Sequence, residues 1–129
     1  MTFPELAAAL EERFYFYKTV LDKMAEAVKA GEANAIEAYS KLETRTAAEI
    51  VVFQRCFIAR MAEAPRASEF LHKVETARTA ARAASLHGRD ILVKEKEATA
   101  AQLKEVRKRN QRTGFQRGSP PPSVIDIEA

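Results

Sequence analysis

The sequence predicts an all-α protein: an elongated antiparallel helical hairpin plus a long third helix, in a three- to four-helix, coiled-coil-like bundle. Three observations lead there. Ala, Glu, Lys, Arg and Leu dominate the 129 residues and only four are Gly, a composition of long helices rather than sheets. Apolar residues recur at helical spacing along three successive segments. Apart from Pro4 in a first turn and Gly88, the Gly and Pro residues fall between those segments, at Gly31 and Pro65, or after Thr113. The length suits one helical domain over residues 1–112, with a Gly/Pro-rich tail over 113–129.

The first helix is expected over about 3–30. Thr2 and Glu5 have the spacing of a capping box, and Pro4 is tolerated in a first turn because its missing N–H needs no partner there. Leu10, Phe14, Tyr17, Leu21, Met24 and Val28 alternate gaps of four and three, which puts them on one seam. Gly31 can adopt the left-handed conformation that ends a helix. The second helix is expected over about 35–64, where Ile36, Tyr39, Leu42, Thr46, Ile50, Phe53, Phe57 and Met61 follow the α-helical period. A short turn between two helices of similar length makes them antiparallel, and the aromatic seams predict Phe14 and Tyr17 near Phe53 and Phe57. The predicted core is therefore Phe14, Tyr17, Leu21, Ile50, Phe53 and Phe57.

The third helix is expected over about 66–110, longer than the hairpin can cover. Its seam opens with Phe70, Val74, Ala77, Ala81 and Ala84, small residues that permit close approach. Past Ile91 and Leu92 the apolar stripe thins to Ala98, Leu103 and Val106. Gly88 costs about 1 kcal/mol relative to Ala and marks a candidate kink or break. Beyond Asn110 the helix signal ends, and Gly114, Gly118 and Pro120 to Pro122 predict a flexible or extended tail that closes on Val124, Ile125, Asp126, Ile127 and Glu128.

Charge is uneven along the chain. Residues 1–64 hold 8 Lys/Arg against 10 Asp/Glu, a net of −2, and residues 65–129 hold 13 against 8, a net of +5. Residues 104–117 hold six bases, Lys104, Arg107, Lys108, Arg109, Arg112 and Arg117, against one acid, Glu105. Lys and Arg suit the C-terminal end of a helix dipole, and no recognition module surrounds the run, so nucleic acid is not the expected partner. Cys56 stands alone, which excludes an internal disulfide and fits a reducing cytoplasm; beside Phe57 it reads as a buried, inert thiol. No signal peptide, membrane insertion or membrane-spanning run is expected.

Catalytic chemistry is not legible. There is no phosphate-binding Gly-rich loop, no nucleophile elbow and no His pair at helical spacing. His72 and His87 are about four turns apart, and His87 with Asp90 makes only one i, i+3 pair. Glu11 and Glu12 read as a solvated face. The expectation is a non-enzymatic binding protein with no cofactor, no metal and no small-molecule substrate. The stripe of Leu92, Leu103 and Val106 lacks an internal partner and suits another chain, a second copy or a client. A homo-oligomeric coiled-coil scaffold, and less readily a nucleic-acid-associated protein using residues 104–117, are the other readings.

The hairpin resembles the FlgN-type flagellar export chaperones. The likeness lies in a helix leading to Ala27, Val28, Gly31 and Glu32, then a Glu-rich helix through Ile36, Glu37, Leu42 and Glu43. It also lies in a Gly-containing linker before the closing Val124, Ile125, Asp126 and Ile127. The resemblance implies a cytoplasmic chaperone that binds hook-associated (junction) proteins and delivers them to the flagellar type III export gate. A helical client would lie along a helical groove. On that reading residues 92–127 hold the client, through Leu92, Leu103, Val106, Phe115, Val124, Ile125 and Ile127.

Overall fold

The computed structural model describes the backbone of residues 1–117 and the side chains of residues 1–111. The described chain is all-helical: α1 is Phe3–Ala30, α2 is Ala33–Met61 and α3 is Ala67–Arg117. Among the described residues no helix is long and apolar enough to cross a membrane. The chain divides into two compact units, residues 1–93 and the residues from Lys94 onward.

Local chemistry sets the ends of α1. The Thr2 hydroxyl accepts from the Glu5 N–H at 3.2 Å, so one of the four orphan donors of the first turn is satisfied. At the other end Gly31 sits at φ +69°; its N–H donates to Val28 O, and the Glu32 N–H reaches back to Ala27 O at 3.0 Å. A side chain at that φ is strained whatever the space around it. Gly88, by contrast, lies inside an unbroken α3, and a Cβ there would meet nothing within 4 Å. The two glycines should respond in opposite directions in urea titrations. Gly31→Ala is expected to lose about 1 kcal/mol. Gly88→Ala is expected to gain roughly 0.5–1 kcal/mol.

Four contacts fix how α1 and α2 lie. Arg60 donates to the Met1 carbonyl at 2.8 Å, and the Phe57 ring stacks on Phe3 with centroids 4.9 Å apart. Arg13 pairs with Glu49 at 3.1 Å, and the Tyr17 hydroxyl donates to Glu43 at 2.7 Å. Numbers rise along α1 as they fall along α2, so the two helices run antiparallel. The expected aromatic pairing is corrected: Phe57 meets Phe3, not Phe14, and Tyr17 meets a carboxylate rather than a ring. A tight turn at Gly31 makes residues equally far from it face each other, and Phe57 lies much farther from that turn than Phe14 does.

The core of the first unit draws on all three helices. Phe3, Leu6, Ala7, Leu10 and Phe14 of α1 cluster with Ile50 and Phe57 of α2 and with Val74, Ala77 and Ala81 of α3. Phe14, Leu21, Ile50 and Phe57 are buried, whereas Tyr17 and Phe53 are half-buried against the cluster. Thr46 is buried too, and its hydroxyl donates to the Leu42 carbonyl one turn back at 2.8 Å, so it needs no partner from another helix. Cys56 is exposed, which corrects its reading as a buried thiol: it lies off the inward stripe of Ile50, Phe53 and Phe57.

Tyr17 gives the interface a pH dependence. Burial first, then its hydrogen bond to Glu43 and that carboxylate's charge, push its pKa up from 10.0 to about 12, against an opposing pull from Arg89. The folded state therefore holds this proton more tightly than the unfolded state. The resulting stability is complete below pH 10 and is lost as pH rises toward about 12. Melting temperatures measured across that window should fall more steeply for the wild type than for Tyr17→Phe.

Two helix boundaries shift from the expected ones. α2 stops at Met61, before Pro65. α3 continues to Arg117 rather than ending at Asn110, so 113–117 are helix and not tail. Gly114 costs only about 1 kcal/mol in a helix, and each added residue extends a ladder already nucleated, so one glycine does not stop it. The first proline, Pro120, lies beyond.

Candidate interaction surface on the third helix

In the second unit α3 carries almost no cover. Every described residue from Lys94 to Gln111 is exposed, save for half-buried Glu95. Leu103 is 45% and Val106 43% exposed. Three residues apart, they share one face of the helix. Thr99, four residues before Leu103, and Asn110, four after Val106, continue that face. The Thr99 hydroxyl donates to the Glu95 carbonyl at 2.9 Å, so it is satisfied by its own helix. The result is a narrow stripe, Thr99, Leu103, Val106, Asn110, on a helix otherwise studded with Lys and Arg.

Of the other predicted client residues, only Leu92 has a described side chain. Leu92 is exposed beside Val93 but belongs to the first unit, one residue after buried Ile91. Phe115 falls within the α3 backbone, but its side chain lies outside the described residues. Val124, Ile125 and Ile127 also lie outside the described residues.

Sequence reasoning missed a second set of bare apolar side chains. Val51, Val52 and Ile58 on α2, and Tyr15 and Phe16 on α1, are each at least 41% exposed. The signal was present in the spacing: Val51 and Ile58 are seven apart and share a face, turned about 100° from Ile50.

The arrangement offers apolar contact flanked by charge. Among the described residues no three His, Cys, Asp or Glu side chains gather where a metal could be held. No family model, no curated protein and no solved structure matches the chain.

Proposed function

We propose that this chain is a non-catalytic cytoplasmic export chaperone of the FlgN type. It would be an elongated antiparallel hairpin whose long third helix holds an amphipathic helix of a flagellar hook-associated protein for the type III export gate. The supporting observation is the pair Leu103 and Val106, side by side and exposed on a helix with bare flanks. A narrow stripe of this kind buries little area, which suits a reversible grip. The basic residues around it would favour an acidic rim on the client.

Titration of a purified hook-associated protein against the full chain tests this. Leu103→Asp/Val106→Asp is expected to weaken binding at least about 30-fold, the scale of losing a binding hot spot. Its melting temperature should stay unchanged, because both side chains already face water. Equal affinity in the two forms would refute the assignment. A concentration-dependent dimer dissolved by the same substitutions would favour the homo-oligomeric scaffold instead. Tight nucleic-acid binding that falls steeply with salt would favour the basic segment as the working surface.

A further inference from the structure

We infer that the outer face of α2 is a second docking surface, and that its occupant is an amphipathic helix of another protein with a carboxylate inside its apolar stripe. Thr44, Ala48, Val51, Arg55 and Ile58 follow one another at gaps of four, three, four and three, the spacing of a helix-packing seam. All five are exposed. Val51 and Ile58 each stand one residue, about 100°, on from a buried member of the inward seam, Ile50 and Phe57. The Thr44 hydroxyl donates to the Ser40 carbonyl of its own helix, so it asks nothing of a partner. α2 thus carries two seams. The inner one packs into the shared core, and the outer one is bare.

Charge selects the occupant. Between Lys41 and Met61 α2 has two acids, Glu43 and Glu49, and α1 engages both, through Tyr17 and Arg13. Arg45 and Arg55 have no carboxylate partner among the described residues. Arg55 stands inside the seam, between Val51 and Ile58, so whatever covers those two side chains also encloses a guanidinium. An enclosed charge needs an opposite charge beside it. A polar residue inside a seam also fixes register and partner choice.

A second copy does not supply that charge. In antiparallel pairing about the middle of the seam, Val51 faces Arg55 of the copy and Ala48 faces its Ile58. The only acid within one turn of Val51 is Glu49, which Arg13 holds. In parallel pairing Arg55 faces itself, and like charges across an interface are costly. An anionic membrane fits less well too. Helices that lie on membranes keep their bases on the polar face, whereas Arg55 would be carried into the apolar layer. The surface lies within residues 1–93. It stands independently of the chaperone reading, which rests on Leu103 and Val106.

Fluorescence anisotropy with a three-heptad helical peptide tests this. The peptide has Leu at every a and d position except one central Glu. The full chain carries Leu103→Asp/Val106→Asp throughout, so the α3 stripe takes no part. Adding Val51→Ser/Ile58→Ser is expected to weaken binding at least about tenfold. The melting temperature should stay unchanged, because both side chains already face water. Arg55→Glu should weaken the Glu peptide about tenfold and strengthen a twin with Lys in place of that Glu. Indifference to the sign of charge at residue 55 would overturn the choice of occupant, and no binding of the Glu peptide would overturn the surface. A concentration-dependent dimer dissolved by Val51→Ser/Ile58→Ser would also overturn the proposal, by assigning the face to a second copy. So would binding to vesicles of equal phosphatidylglycerol and phosphatidylcholine that the same variant loses, which assigns it to a membrane. Failure of the hook-associated protein to bind in the earlier titration leaves these readouts unchanged, so the two ideas fail separately.

Discussion

Phe57→Ala should lower the unfolding free energy by about 3–5 kcal/mol, the cost of truncating a fully enclosed ring. Phe57 is 2% exposed and stacks on Phe3 at an interplanar angle of 16°. Phe3 in turn meets Phe70 edge-on, with centroids 5.7 Å apart. One ring from each helix therefore belongs to this chain of contacts, within a cluster that draws on α1, α2 and α3. Phe53→Ala, at a half-buried position, should cost only about 1–2 kcal/mol. Urea titration of both variants reads the difference. Equal losses would mean that Phe57 is no better enclosed than Phe53.

Ala77→Leu should destabilise by about 1–3 kcal/mol through overpacking. Ala77 is fully buried in the cluster that joins α3 to Phe3, Leu6, Leu10 and Phe14. Val74, Ala81 and Ala84 share its face and are buried as well, so a longer side chain has no void to enter. Ala83→Leu is the control, since Ala83 is exposed and a surface change there should stay within about 0.5 kcal/mol. A neutral Ala77→Leu would mean that α3 can move away from α1 at no cost.

What the sequence made legible was local. Thr2, Pro4 and Gly31 announce the ends of α1 because capping and left-handed backbone depend on one residue and its near neighbours. The seam through Leu10, Phe14 and Leu21 was visible because large apolar residues mark their own period. Other buried positions of α1 lay off that seam: Phe3, Leu6 and Val20, and the alanines Ala7, Ala25 and Ala27, of which the alanines carry no compositional mark because alanine is equally at home in water. α1 packs against two helices, and its buried arc is wider than a single seam. The pairing of Phe57 with Phe3 depends on the tightness of one turn, a property of geometry rather than of composition. On α3, sequence reasoning placed exposed apolar residues at Leu103 and Val106. It did not single out Val51, Val52 and Ile58 as bare, although Val51 and Ile58 are spaced to share a face off the Ile50 seam, because apolar residues on α2 outnumber its inward positions.

The Thr46 hydroxyl has a consequence for how the helices find their alignment. A polar core residue often acts as a key, fitting one partner on one neighbouring helix. Thr46 spends its hydrogen bond on its own backbone, as Thr19, Thr44, Thr76 and Thr99 also do. Such residues are indifferent to what lies opposite them. Of the four contacts that set α1 against α2, the Phe3–Phe57 stack and the part-buried Tyr17–Glu43 bond are the best shielded from water, about 21 Å apart along α1. A slide of one helical turn, about 5.4 Å, would break both at once. The pair works like two dowels in a joint: either one alone leaves freedom to pivot, and together they allow a single seating.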